Sequence, residues 1–212
     1  MKITKFGHSC LLVEEGDARI LIDPGSYSTL QNDARNIDAI LITHEHQDHL
    51  SIESLRAILK NSPEAKIYTN AGVGEKLKAE NIPFEFLEDA QRVIVKGALV
   101  EGFGRDHAII YPSLPRFDNT GYLIAGRLFH PGDALLVPSK PVEILALPVI
   151  APWSKISEVI DYAKTVKPKI AFPIHDGMLK NPGGYSKWPE TFLAPEGIEW
   201  KVIEDGKSLE VN

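Results

Sequence analysis

A short apolar run, Ala39-Ile40-Leu41-Ile42, leads into Thr43-His44-Glu45-His46-Gln47-Asp48-His49, and this junction constrains the chain more than any other stretch. The run reads as a buried strand, and four of the seven residues after it, His44, His46, Asp48 and His49, are candidate metal ligands. In an extended segment side chains two apart share a face, so His44, His46 and Asp48 are expected to point one way as the strand runs out. His49 then starts a turn toward a different spot. A helix is excluded, because His44 and His46 would stand roughly 200° apart on it and could not share one ion. The helical zinc-protease signature, His-Glu-x-x-His, is missed as well, since position 48 is Asp. Three of the chain's seven histidines crowd into this segment, which chance clustering of surface histidines explains poorly. A catalytic zinc usually takes three protein ligands and a water, so further ligands must come from elsewhere, and about twice as many for two metals.

The remaining histidines are His8, His107, His130 and His175. His107 sits in Arg105-Asp106-His107, and His175 ends the apolar run Ile170-Ala171-Phe172-Pro173-Ile174. Asp133 sits in Pro131-Gly132-Asp133, after the strand-like Gly126-Arg127-Leu128-Phe129-His130. His-x-His-x-Asp-His, then a lone His, then Gly-Asp, then a final His, in that order, resembles the metallo-β-lactamase superfamily. The flanking Gly7-His8-Ser9, Leu21-Ile22-Asp23-Pro24 and Asn119-Thr120-Gly121-Tyr122 are similar to its compact lactonase-like and phosphodiesterase-like branch. That branch includes ascorbate-6-phosphate lactonases and N-acylphosphatidylethanolamine phospholipases. The resemblance covers most of the chain. It implies an α/β fold, an αββα four-layer sandwich with two sheets face to face and helices outside. It also implies one metal on His44, His46 and His107 and a second on Asp48, His49 and His175, with Asp133 bridging. Asp48 and Asp133 are then the candidate catalytic carboxylates. His8, Asp23 and Thr43 are candidates to support the ligands from behind, as metal-bound imidazoles require.

Composition narrows the class of partner. At 212 residues the chain suits one domain, 1–212, and its 43% hydrophobic and 25% charged residues are those of an ordinary globule. No stretch approaches the ~20 apolar residues of a membrane span, and the first residues lack the apolar core of a signal peptide. Cys10 is the sole cysteine, which excludes an intrachain disulfide and suits a reducing, cytoplasmic setting. A net charge of −6 with no basic cluster argues against a nucleic-acid surface. The expected partner is a small, anionic molecule.

Along the chain, 2–23 reads as strands with a hairpin loop at 14–18, and 24–36 as a polar rim. Ser51 can cap a helix over 52–60. A strand over 66–69, a helix around 74–80, strand-like 84–87 and two strands within 92–103 follow. The Pro-containing segment 108–120, with Arg116, is expected on the substrate side. Residues 122–129 read as a hairpin, His130 as a surface residue and 142–149 as a buried strand. Ser154 is expected to cap an amphipathic helix whose inner stripe is Ile156, Val159, Ile160, Ala163 and Val166. The glycine-rich 176–185 adjoins His175 and is expected to shape the mouth of the site, with Lys180, Tyr185 and Trp188 as candidate contacts. Residues 198–202 and 208–211 read as a closing hairpin.

Two divalent ions bring about +4; two carboxylates and a bridging hydroxide leave about +1, which suits a substrate that is anionic or becomes so. The expectation is a metal-dependent hydrolase in which water attacks a small ester, lactone or phosphodiester at a dinuclear centre. Zinc is the expected metal, with manganese, nickel or iron as alternatives. The competing readings are an iron-dependent redox enzyme similar to persulfide dioxygenases, and a metal-binding protein without turnover. Neither a Walker loop nor a Gly-x-Ser-x-Gly elbow is present.

Overall fold

The computed structural model describes all 212 residues, the side chains of 182–184 excepted. The chain first lays down β1 (Lys2–Gly7), β2 (Cys10–Glu15), β3 (Ala18–Ile22), β4 (Ala39–Leu41), β5 (Lys66–Thr69) and β6 (Glu85–Phe86). It then builds a second sheet from β7 (Arg92–Val95), β8 (Ala98–Phe103), β9 (Gly121–Ile124), β10 (Leu128–His130), β11 (Ile144–Pro148), β12 (Ile170–Ile174) and β13 (Glu199–Trp200). Finally β14 (Ser208–Glu210) returns to the first sheet. The orders are β14-β1-β2-β3-β4-β5-β6 and β13-β12-β11-β10-β9-β8-β7. Helices α1 (Ile52–Asn61) and α2 (Ala71–Ala79) cross between strands of the first sheet, and α3 (Ile156–Val166) and α4 (Pro182–Leu193) between strands of the second.

Alternation along the strands builds four layers. Leu11, Val13, Ile20, Ile22 and Leu41 face Tyr122, Ile124, Leu128, Ala146 and Phe172 across the inter-sheet core. Their neighbours Leu12, Leu21, Ile40 and Ile42 turn outward onto Leu55 and Ile58 of α1 and Val73 and Leu77 of α2. On the other side Leu123, Leu145 and Leu147 receive Val159, Ile160 and Ala163 of α3 and Leu193 of α4. Two sheets face to face with helices outside are the α/β sandwich expected from sequence. Among the described residues no helix is long and apolar enough to cross a membrane.

Three local expectations are corrected. The closing hairpin does not form: β13 extends the second sheet parallel to β12, and β14 pairs antiparallel with β1. A strand that follows a helix such as α4 is free to join in parallel, and the turn at 205–206 is held by the N–H of Gly206 on the Lys5 carbonyl. Helix α3 starts one residue later than a Ser154 cap requires. Its first turn is closed by the Glu158 carboxylate, which accepts from the Lys155 N–H, while the Ser154 hydroxyl is buried without a partner. The glycine-rich 176–185 is loop only in its first half, since α4 begins at Pro182.

Strand direction positions the site. β1, β3 and β4 run in parallel, as do β8, β10 and β12, so the residues leaving their carboxyl ends collect at one end of the sandwich. Those residues are His8, Asp23, His44, His107, Asp133 and His175. Open α/β sheets place ligands at this end.

Candidate metal centre

The segment after β4 is not extended beyond His44. The N–H groups of His49 and Leu50 both donate to the His46 carbonyl, so the chain turns between His46 and His49. This corrects the shared face expected for His44, His46 and Asp48: the turn sends Asp48 away from the first two. Two clusters result. His44, His46, His107 and Asp133 form one, and His8, Asp48, His49 and His175 the other, with the ligand-type atoms within each lying within 4.8 Å of one another. Ligands about 2.0–2.2 Å from a tetrahedral zinc stand roughly 3.3–3.6 Å apart, so each cluster needs only a slight contraction to close on an ion.

Hydrogen bonds at the back of each imidazole decide what its front can do. His44 Nδ1 lies 3.0 Å from Thr43 Oγ1, whose own proton goes to Asp23 Oδ2 at 2.8 Å. His49 Nδ1 donates to Asp23 Oδ2 at 2.7 Å. His107 and His175 donate from Nδ1 to the carbonyls of Ala108 and Ile150. In all four rings Nδ1 thereby carries a proton, and Nε2 is the nitrogen left to offer a lone pair to a metal. Those four Nε2 atoms, with Asp133 Oδ1, are buried and make no hydrogen bond. Asp133 lies among them: Oδ2 is 3.4 Å from His107, 3.1 Å from His175 and 3.8 Å from His44, and Oδ1 is 3.2 Å from His49. Converging lone pairs and carboxylate oxygens repel unless protons or cations lie between them. The donor set therefore fits divalent metal ions.

Asp23 is wholly buried and serves both clusters, accepting from the Thr43 N–H as well. His8 has the opposite tautomer. Its Nδ1 accepts from the Gly177 N–H at 3.1 Å, so Nε2 carries the proton and donates to Asp48 Oδ2, also at 3.1 Å. Burial holds its pKa low and keeps the ring neutral. His8 thus orients Asp48 and has no lone pair to offer a metal. His46 is half-exposed and packs edge-on to Phe117 at 4.6 Å.

Protonation follows the same geometry. Burial, then His49, push His44 well below its usual value. Burial also pulls on His49 and His175, but Asp133 with Asp23 outweighs it at the first, and Asp133 with Asp48 lifts the second to about 9. Asp133 is held well below the carboxylate range: burial would raise it, but His49 and His44 dominate. Two close approaches need glycine. A Cβ on Gly25 would stand 1.8 Å from the Asp48 carbonyl, and one on Gly132, at φ +63°, 2.2 Å from Asn119 Oδ1.

Other expected residues lie apart or behave differently. His130 is buried, not superficial: it holds the Ser9 carbonyl and the Gly132 N–H, which fixes the turn before Asp133. Arg116 is spent on Asp106 at 2.7 Å. Trp188 stacks on Phe192 along α4. Trp153, by contrast, has no sequence signal and proves central. Its indole N–H donates to Asp133 Oδ2 at 3.0 Å, and its ring stands edge-on to His107 and His175. A lone Trp after a buried strand is ordinary core by pattern, and only the fold brings it to Asp133.

Comparison with known proteins agrees with this geometry. Residues 2–175 match the family model described as a β-lactamase superfamily domain. The chain is 40% identical over 188 residues to protein Rv0786c of Mycobacterium tuberculosis, covering 84% of this chain and 85% of that one. It is 25% identical over 232 residues to a UPF0173 metal-dependent hydrolase of Archaeoglobus fulgidus, covering 100% and 94%. Among solved structures, a metallo hydrolase of Ignicoccus hospitalis superposes with a TM-score of 0.77 at 21% identity, over 100% of this chain and 99% of that one.

Proposed function

The chain belongs to the β-lactamase superfamily and is a metal-dependent hydrolase of it, and from that premise we propose a dinuclear centre that cleaves a small ester, lactone or phosphodiester. One observation carries the dinuclear reading: four buried Nε2 atoms without partners converge in two groups on the carboxylate of Asp133. His44, His46 and His107 would hold one ion and Asp48, His49 and His175 the other, with Asp133 shared. Zinc suits this imidazole and carboxylate set. When bound, two divalent ions supply Lewis acidity to the scissile bond and a hydroxide near neutral pH.

The chain's own residues do the rest. Asp23 and Thr43 fix the orientation of His44 and His49, as the Ala108 and Ile150 carbonyls do for His107 and His175, so that Nε2 is the nitrogen each ring turns inward. His8 holds Asp48, and Trp153 holds Asp133, each through one N–H. With only two carboxylates among the ligands, the loaded basin keeps a net positive charge, about +1 with a hydroxide, which favours an anionic substrate or transition state. We take residues 1–212 as one domain, and a reducing cytoplasm suits the buried free thiol of Cys10.

The test is elemental analysis of protein purified without chelator or metal-affinity resin, followed by a panel of lactones, esters and phosphodiesters. About two zinc or manganese ions per chain are expected, falling to one or fewer in Asp133→Asn together with turnover. Near one iron per chain, with oxygen uptake in place of hydrolysis, would overturn the reading.

A further inference from the structure

Between His107 and Phe117 the chain forms a loop whose base is clamped to the metal centre and whose tip is apolar. The base is antiparallel: Asp106 bridges Asp118, and the His107 N–H donates to the Phe117 carbonyl at 3.0 Å. The Ala108 N–H donates to the carbonyl of Asp133 itself, at 2.8 Å. At the tip Ile109, Tyr111 and Leu114 are 54%, 64% and 49% exposed. Exposed apolar clusters of this kind mark contact sites.

Beneath the tip lies a cavity of about 150 Å³, walled by Ile109, Ile110, Tyr111, Leu114 and Phe117 with two prolines. An apolar cavity of roughly that size takes up a molecule as large as benzene. Its one charged wall residue, Arg116, is already paired with Asp106. Phe117 is the wall it shares with the metal centre, since the same ring packs on His46 at 4.6 Å and on His107 at 6.2 Å. A molecule with its polar end at the metals and its apolar end in the cavity would therefore cross a single aromatic ring. Small-molecule sites commonly pair a few fixed polar groups with such an apolar wall.

We infer that this cavity is the subsite for the apolar end of the substrate, a phenyl-sized aryl or short alkyl group, whose ester, lactone or phosphodiester bond lies at the metals; the inference rests on the hydrolase reading above. The cavity is too small for a long acyl chain.

Non-hydrolysable n-alkylphosphonates, from methyl to octyl, test it by calorimetric titration of the metal-loaded protein. The dissociation constant should fall about threefold to fourfold per methylene up to about hexyl and then level off as the cavity fills. Leu114→Asp, at a half-exposed position, should cut the hexyl-to-methyl affinity ratio at least tenfold. Ile94→Asp, on an exposed site of β7, should leave that ratio as in the parent. A tail-independent affinity, or a parental ratio in Leu114→Asp, would overturn the subsite. Methylphosphonate titrated with and without a chelator reads the metal centre separately. If its binding ignores the metal, the hydrolase reading fails, while the tail ratio still judges the cavity. If no phosphonate of any length binds, both fall.

Discussion

His44, His49, His107 and His175 each commit Nδ1 to the scaffold, so each presents a preset lone pair at a fixed tautomer. The metal competes with protons for two of those lone pairs. His175, lifted from 6.5 to about 9 by Asp133 and Asp48 against the pull of burial, and His49, lifted by Asp133 and Asp23, both hold a proton in metal-free protein at pH 7. The sign is that of raised bases. Their ion pairs stabilise the metal-free fold in full below about pH 6.5 and fade as pH rises, those of His175 through about 9 and those of His49 through its own raised value. Metal affinity runs the other way and should climb about tenfold per pH unit, per proton displaced, until those groups are neutral. Calorimetry at pH 7 in buffers of different ionisation enthalpy should show one to two protons released per chain. Release of none would mean that His49 and His175 are not displaced by metal. The Trp153 indole presents a second residue-scale consequence, because it supplies the N–H that holds Asp133 Oδ2. Trp153→Phe keeps an aromatic ring, though a smaller one, and removes the donor. Turnover or metal affinity should drop about 10–100-fold with the fold intact by circular dichroism. The fluorescence change on metal addition should vanish too, leaving the other two tryptophans silent. An unchanged fluorescence response would show that Trp153 does not report the centre.

At the scale of elements, α2 and the metal-binding loop share one residue. Asn70 caps α2 through Oδ1, which accepts from the Val73 N–H, and its Nδ2 donates to the Thr43 carbonyl at 2.8 Å. The Thr120 N–H reaches the same carbonyl at 2.9 Å, so sequences far apart in the chain fix the start of the histidine cluster. Asn70→Ala removes both functions and should cost about 1–3 kcal/mol. At about 2–4 °C per kcal/mol for a chain of this size, calorimetry should read a melting temperature lower by roughly 2–12 °C. Asn70→Asp keeps the cap and loses the donor, so it should recover part of the stability but not the metal affinity. Equal melting temperatures for the two variants would show that the cap contributes nothing. The same elements show what sequence can and cannot reveal. Leu11 and Val13 alternate with Cys10 and Leu12, a local period that survives folding, and the strands were legible from it, whereas the layered sandwich came from the family resemblance. The histidine cluster was legible because its residue types are costly in combination. The face of Asp48 was not legible from strand alternation, because a turn breaks the alternation beyond His44, although the family resemblance did group Asp48 with His49 and His175. Nor was the fate of Ser208–Glu210, whose partner β1 lies at the other end of the chain. His130 looked superficial for a related reason: its partners, Ser9 and Gly132, meet it only in the folded state.

On the scale of the whole molecule, the two sheets repeat one scheme, three antiparallel pairings followed by three parallel ones, and they meet at the metal centre. His44, His46, Asp48 and His49 belong to the first sheet's loops, whereas His107, Asp133 and His175 belong to the second's. A buried ion pair joins the sheets beside them, with Lys5 of β1 on both oxygens of Asp176 at 2.7 and 2.6 Å. Ions bound between the sheets would act as cross-links, so their removal should weaken the whole fold and not one loop. Binding at a thousandfold excess over the dissociation constant stabilises by about 4 kcal/mol. On the scale used above, that is roughly 8–16 °C of melting temperature lost on treatment with a chelator, and restored on adding zinc. The loss should also depend on pH. At pH 6.5 protons on His49 and His175 partly replace the missing cations against Asp133, whereas at pH 9 the proton on His175 is leaving and Asp133 is less opposed. Melting curves with and without chelator should therefore separate more widely at pH 9 than at pH 6.5. A gap that is absent at both pH values would mean that the centre does not tie the sheets together. A gap that narrows as pH rises would mean that His49 and His175 are not the groups that trade protons for metal.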